Sequence, residues 1–351
     1  MSVDARTPVD QEWPDEDLES VSVCPVCTSP RRRTLYEGLC DSLFDTPGRW
    51  TLHGCLSCRS AYLDPRPTRH SMARAYERYP THDHTESREH TAGRSFRRAF
   101  ANGYLNQRFG TDYQLASRLG GSLTQFVPWK RHQLDAIGRH LPRGGAGRRL
   151  LDVGCGNGDF LDLAQRAGWQ VMGVEPDPTA AQVARSRGLD VRVGSIDSLG
   201  SLANVFDAIT LGHVIEHVHD PVSLLARCRM LLRPNGWVWI DTPNLRSFGH
   251  RRYGRSWRGL EPPRHLVLFT MSSLTQALTR GGFEGVELAP WRPVATWLYP
   301  ASEVAGSSRD DPEGTSLILR ARIRGLLGDL RAWRQEEGRE FLTVTARRAG
   351  E

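Results

Sequence analysis

Lysine is almost missing from this 351-residue chain: Lys130 stands alone against 45 arginines, so the net charge of +6 is carried by guanidinium groups. Those arginines are scattered among acids. The densest run, Arg31-Arg32-Arg33, is too short for a phosphate-binding patch, which argues against nucleic acid as the partner. Long apolar runs are missing too. No stretch approaches the roughly 18 residues a membrane-spanning helix requires, and the first 20 residues are acidic rather than signal-like, so a cytoplasmic protein without a membrane span is expected. Seven cysteines are too few for a disulfide scaffold. Wholesale disorder is excluded by 39% hydrophobic and 25% charged residues, and the length suits roughly two domains.

What is present divides the chain. Residues 1–20, acidic through Asp4, Asp10, Glu12, Asp15, Glu16, Asp17 and Glu19, are predicted to be a disordered tail. Residues 21–66 hold the pairs Cys24-Pro25-Val26-Cys27 and Cys55-Leu56-Ser57-Cys58 and run into Asp64-Pro65-Arg66-Pro67, where each proline disfavours helix before it. Two such knuckles can gather four thiolates tetrahedrally, with backbone amides left to hydrogen-bond the sulfurs. Cys24, Cys27, Cys55 and Cys58 are therefore read as a structural zinc site in a zinc-ribbon module. Four sulfur ligands leave no position open for catalysis. Residues 67–141 follow a mostly helical pattern, a cap or linker segment, and 142–147 are rich in glycine.

From 142 to 351 short apolar strands alternate with amphipathic helices, the pattern of an α/β, doubly wound sheet. Strands are predicted at 149–154, 170–175, 190–194, 206–212, 236–241, 283–289 and 341–347, and helices at 158–167, 178–187, 220–232 and 271–280. A helical insertion at about 312–336 repeats Leu317, Leu319, Ile323, Leu326, Leu327, Leu330 and Trp333 at helical spacing, which is read as a core-facing stripe.

The first of these strands runs into Asp152-Val153-Gly154-Cys155-Gly156-Asn157-Gly158, where glycines let the backbone turn and approach a ligand that a Cβ would exclude. Glu175 ends the next strand, a place where a carboxylate can accept both hydroxyls of a ribose. The third glycine comes one residue too early for the dinucleotide fingerprint. Asp152 suits an ammonium or sulfonium group better than a pyrophosphate.

Over about residues 148–290 the chain resembles class I S-adenosylmethionine-dependent methyltransferases. Beyond the glycine loop, residues 206–218, ending in Glu216-His217-Val218, are similar to the family's fourth strand and following loop. Leu231-Leu232-Arg233-Pro234-Asn235-Gly236 is similar to its turn into the fifth strand, with asparagine, which tolerates left-handed backbone, in place of a glycine. The resemblance implies a Rossmann-like sheet and S-adenosyl-L-methionine as cofactor. It places Asp152, Gly154, Cys155, Gly156 and Gly158 around the methionine pocket, Glu175 and Pro176 at the ribose, and Ile196 and Asp197 beside adenine. His213 would offer its backbone near the methionyl end. The order of cysteine module, helices and methyltransferase core also resembles enzymes of sugar, surface-polysaccharide and secondary-metabolite pathways, including sugar C-methyltransferases. The last carry a further C-terminal domain for which this chain is expected to be too short.

Methyl transfer is an in-line displacement, and a hydroxyl acceptor needs a base. Histidine titrates in the useful range, so His217 and His265 are the catalytic candidates, with a loop-ordering hydrogen bond the alternative for each. Glu216, Arg264, Tyr79 and His82 are candidate substrate contacts, Arg264 being suited to a carboxylate or phosphate. His82, His84 and His90 match no metal-ligand spacing. The expected activity is O-methylation of a small polar metabolite or glycan precursor. A sugar C-methyltransferase acting on a nucleotide-sugar ketone stays open, as does a non-catalytic zinc-ribbon protein that binds or regulates. Nothing in the sequence sets the oligomeric state.

Overall fold

The computed structural model describes residues 12–77, 92–145, 147–306 and 314–350. A short strand, β1 (Leu18–Glu19), pairs antiparallel with β5 (Arg66–Pro67). Between them β2 (Arg32–Leu39), β3 (Trp50–Cys55) and β4 (Ala61–Leu63) form an antiparallel sheet. Its edge is completed by β11 (Val267–Leu268), which comes from some two hundred residues further along the chain.

Residues 12–20, expected to belong to a disordered tail, are instead packed. Trp13 is buried edge-on to Trp50 at 5.3 Å, and Asp17 and Glu19 pair with Arg74 and Arg66. Burying one large apolar side chain is worth about 1.5–3 kcal/mol, which gives this acidic segment an anchor that composition averages away.

Helices α1 (Ala92–Phe109), α2 (Arg118–Gln125) and α3 (Pro128–Ile137) lead into the main sheet. Its strands are β6 (Arg149–Val153), β7 (Gln170–Glu175), β8 (Val191–Val193), β9 (Phe206–Gly212), β10 (Leu232–Pro243), β12 (Phe283–Leu288) and β13 (Phe341–Arg348), in the order β12-β13-β10-β9-β6-β7-β8. The run from β10 to β8 is parallel, and β13 is antiparallel to both neighbours. Leu150, Leu151, Ile209 and Leu211 are fully buried, as central parallel strands covered on both faces require. Helices α4 (Asp159–Arg166), α5 (Pro178–Ser186), α6 (Pro221–Leu231) and α8 (Met271–Arg280) lie between successive strands, and α7 (Phe248–Tyr253), α9 (Ala295–Gly306) and α10 (Gly314–Arg334) complete the chain. Asp177 and Asp220 cap α5 and α6 through their carboxylates, each followed by a proline at the first helical position. Asn235 has φ of +64°, the left-handed backbone expected of it.

The stripe on α10 was expected to face the core and does not. Leu319, Ile323, Leu326, Leu327, Leu330 and Trp333 are all exposed, while Ala321, Gly325, Gly328 and Ala332 face inward. A Cβ on Gly325 would stand 2.6 Å from the Ala295 carbonyl oxygen, so α10 approaches α9 more closely than larger residues allow. Periodicity finds the two faces of a helix; it does not say which one is covered.

Chain order reverses at β6, which has β7 on one side and β9 on the other. In open α/β sheets the crevice beyond the carboxyl ends at such a point takes the ligand.

Candidate active site

Gly154, Gly156 and Gly158 all have positive φ, at +68°, +54° and +83°. Their surroundings differ. A Cβ on Gly158 would meet Leu189 at 2.4 Å and one on Gly154 would meet Val214 at 2.7 Å, whereas one on Gly156 would have nothing within 4 Å. Gly158 thus serves close packing of helix on strand, and Gly156 opens on space. Cys155 turns the other way: its thiol lies in the core against Gly173, so its side chain is no part of the pocket expected there.

Beside the loop is a cavity of about 190 Å³ with apolar walls from Val153, Val174, Ile196, Val214 and Leu224. Pro176, Ser195 and Asp197 stand on its border, together with Arg69 from the N-terminal part of the chain. Asp197 is exposed and accepts the Ser195 hydroxyl at 3.2 Å. Glu175 accepts from the backbone N–H of Gly156 at 2.7 Å and of Asp177 at 3.0 Å. Burial pushes its carboxyl up, and those two amides pull against that shift.

Asp152 does not offer itself to a ligand cation. It is fully buried, ion-paired with Arg139 and hydrogen-bonded by Thr210 at 2.9 Å. Arg139 also lies 3.9 Å over the Phe160 ring, so a protein cation already occupies the place where a ligand ammonium was expected. Its partnership with Asp152 was not foreseen from sequence.

At the carboxyl ends of β9 and β10 the register sets Gly212 opposite Asp241. The His213 ring lies between Glu216 at 3.2 Å and Asp241 at 3.3 Å. Burial works against its charge, but the two carboxylates prevail and push its pKa up to about 10. Asp241 further takes Arg292 and the Thr343 hydroxyl, the latter at 2.5 Å. Asp241 and Arg292 escaped sequence reasoning, although an acid at the carboxyl end of a predicted strand was a usable signal. Glu216, expected to touch substrate, is fully buried with both oxygens engaged, by His213 and by the Thr242 hydroxyl at 3.0 Å. It supports the loop instead.

His217 and His265 are brought together, edge to face at 4.7 Å. The Nδ1 of His217 lies 3.0 Å from the Arg264 carbonyl and 3.0 Å from the Tyr76 hydroxyl. His265 donates from Nδ1 to the Gly259 carbonyl at 2.8 Å, and burial pushes its pKa down to about 4. Arg264 is not available to grip a substrate. It is fully buried, paired with Asp41 at 2.8 Å and Glu261 at 2.9 Å, and donates to Thr46 and to the Ala75 carbonyl. Its guanidinium thereby fastens the loop after β10 to the cysteine module. Tyr79 and His82 lie outside the described residues.

The four cysteine sulfurs lie within 4.8 Å of one another, with Cys24 to Cys58 at 3.6 Å and Cys27 to Cys55 at 3.5 Å. A tetrahedral zinc site with bonds of about 2.3 Å has sulfurs about 3.8 Å apart. The donor set and its spacing fit that metal.

Residues 129–288 match the family model described as a methyltransferase domain. A ubiquinone biosynthesis O-methyltransferase from Xanthomonas oryzae pv. oryzae (strain PXO99A) is 37% identical over 119 residues, covering 32% of this chain and 49% of that protein. A protein of the same description from Chromobacterium violaceum is 35% identical over 119 residues, covering 32% and 50%. The chain thus spans about half the length of the curated relatives it matches. Among solved structures, a SAM dependent methyltransferase from Archaeoglobus fulgidus is 20% identical with a TM-score of 0.44, covering 64% of this chain and 94% of that one. Residues 129–288, somewhat under half of this chain, are thus similar to a methyltransferase domain, and they contain the glycine loop, Glu175 and the parallel strands described above.

Proposed function

We propose that the protein transfers a methyl group from S-adenosylmethionine to an oxygen of a small polar metabolite or glycan precursor, with a histidine as base and structural zinc in the cysteine module. The observation that carries this reading is the apolar slot that runs from Gly154 of the glycine loop to Asp197. Val174, Ile196 and Leu224 suit the faces of a purine, Asp197 its exocyclic amine, and Glu175 the ribose hydroxyls. Arg139 has N–H donors beyond the one given to Asp152, suited to the carboxylate at the amino-acid end. Bound there, the cofactor supplies an electrophilic methyl group. The chain supplies alignment and a place for the acceptor's proton.

His265, whose pKa burial pushes down to about 4 and whose Nδ1–H is spent on the Gly259 carbonyl, is a weak base. The role falls to His217, which is half-buried, and whose Nδ1–H is taken by the Arg264 carbonyl so that Nε2 carries the lone pair. His265, edge-on to it, then acts in positioning.

Calorimetric titration of zinc-replete protein with S-adenosylmethionine and S-adenosylhomocysteine tests the cofactor. Saturable one-site binding is expected, weakened about tenfold or more in Glu175→Ala, the loss of charge-assisted hydrogen bonds. Folded protein that binds neither compound, with or without hydroxylated acceptors, would sink the reading. Labelled methyl incorporation then tests the base: Asn at position 217 should lower turnover while leaving cofactor affinity in place. A product methylated on carbon would instead select the sugar C-methyltransferase alternative.

A further inference from the structure

Helix α10 is built inside out. Its inward face is made of Ala321, Gly325, Gly328 and Ala332, and the close approach this allows leaves no room for a side chain: a Cβ on Gly328 would lie 2.6 Å from the Tyr299 hydroxyl. Six of its bulky apolar residues face outward, and Leu317 and Ile318 near its start are half-buried. Leu319, Ile323, Leu326, Leu327, Leu330 and Trp333 are each 48–61% exposed and span 15 residues, about 21 Å of helix. Neighbouring α9 adds Trp297, 55% exposed, and Val304. Single exposed apolar residues are ordinary, but a continuous stripe of this kind marks a surface that something covers.

The charges beside the stripe select what covers it. Arg320, Arg322, Arg331 and Arg334 are exposed, and at 100° per residue Arg320 and Arg331 fall on one flank of the apolar face and Arg322 on the other, while Arg334 ends the helix within it. The one acid within α10, Asp329, is 5% exposed and spent on the backbone N–H groups of Val294 and Ala295 at 3.0 Å, at the start of α9. Glu336 and Glu337, just beyond the helix, pair with Arg339 and Arg246. A second copy of this face would bring arginine against arginine, and α10 itself offers no exposed acid to answer it. A helix with a bulky apolar face, tryptophan near its end and exposed arginines beside that face matches an interface-lying helix, whose basic side chains extend to lipid phosphates while their stems cover apolar surface. No helix among the described residues is long and apolar enough to cross a membrane, so the contact is one of lying on the surface.

We propose that the outer face of α10 docks this protein on an anionic phospholipid surface. The inward face of the same helix lines a small cavity through Asp329 and Ala332, together with Arg292, Phe341 and Thr343. Arg292 and Thr343 are the residues that hold Asp241 beside His213. Docking would therefore set the His213 side of the cleft next to the lipid headgroups.

Sedimentation of the full chain with vesicles tests this directly. One set is phosphatidylcholine alone and the other includes a third phosphatidylglycerol. Binding to the anionic set, weak or absent on the neutral set and suppressed by high salt, is expected. Each reversal, Arg320→Glu or Arg331→Glu, should weaken it about fivefold or more, since one basic residue near such a surface contributes about 1 kcal/mol. The paired change Leu326→Glu with Leu330→Glu should reduce it at least tenfold. Both positions are exposed, and an unaltered melting temperature and S-adenosylhomocysteine affinity would show that the fold persists. No preference for anionic vesicles would overturn the proposal. So would binding that survives the α10 changes, which would move the contact to other exposed residues such as Leu119 and Phe126. Wild-type self-association abolished by Leu330→Glu, without vesicle binding, would assign the face to a second copy instead.

Discussion

On the β6–β7 side of the cleft the chain presents mainly backbone. Three glycines with positive φ shape the loop, and Glu175, nineteen residues from Gly156, accepts that residue's N–H. On the β9–β10 side it presents side chains drawn from far apart. His213 is held by Asp241, which is held in turn by Arg292 and Thr343, and the loop carrying His265, against which His217 packs, is pinned through Arg264 to Asp41 and Thr46. The first side is made by turns that nearby residues determine, the second by buried charge that must find its partner across the fold. Damage to the first should therefore stay local and appear in ligand binding; damage to the second should appear in the stability of both halves.

Chelation of the proposed zinc is the strongest way to test that contrast. The thiolates organise the module that supplies Asp41 and Thr46, and metal binding in such small sites contributes on the order of 10 kcal/mol to the folded state. One zinc per chain is expected by elemental mass spectrometry, and chelation should lower the melting temperature of the whole protein. A core that melts unchanged after complete metal removal would break the link between the two halves. Next in size is Arg264→Ala, which leaves the buried carboxylate of Asp41 without its cation and Glu261 with Arg258 in place of two arginines. Loss of one partner from a buried ion pair destabilises by about 3–5 kcal/mol, measurable as a fall in the urea midpoint.

Gly158→Ala and Gly156→Ala separate structure from binding on the other side of the cleft. At 158 the new methyl would meet Leu189 at 2.4 Å with φ at +83°, so overpacking and backbone strain together should remove about 2–4 kcal/mol of stability. At 156 no atom lies within 4 Å, so only the strain of about 1 kcal/mol should appear in unfolding while S-adenosylhomocysteine affinity drops. Equal effects of the two changes on affinity would show that both glycines face the ligand.

The smallest effect concerns pH. His265 titrates near 4 in the fold and 6.5 otherwise, so the unfolded chain takes up a proton first as pH falls. Its contribution is complete above about 6.5 and is lost on the way down to about 4. Glu340, raised to about 7 by burial, acts in the opposite sense over much of the same window. The informative quantity is thus the difference between proteins: His265→Asn should show a shallower fall in melting temperature from pH 7 to pH 5 than the parent.

The same contrast explains what was legible in the sequence. The strands of the main sheet and its crossover helices lie within a few residues of their predicted positions, because burial on both faces and capping residues such as Asp177 and Asp220 are written locally. The left-handed turn at Asn235 was readable for the same reason. The ordering of residues 12–20 was not, since it depends on Trp13 meeting Trp50, nor was the partnership of Asp152 with Arg139. Arg264 was misread for a related cause: an arginine in a loop looks free until the acid at position 41 is brought to it. The stripe on α10 was found, and its direction missed, because nothing in its spacing shows that glycine and alanine are the side that packs.

The pairing of β4 with β11 governs how this molecule can be taken apart. A chain begun after residue 67 would expose the edge of residues 267–268 and leave Arg264 without the acid at 41; a chain ended there would bare the edge of residues 61–63. The cysteine module and the α/β core are consequently not exchangeable cassettes. A chimera that joins this core to another N-terminal module must reproduce one strand pairing and one buried carboxylate before it can inherit the cleft.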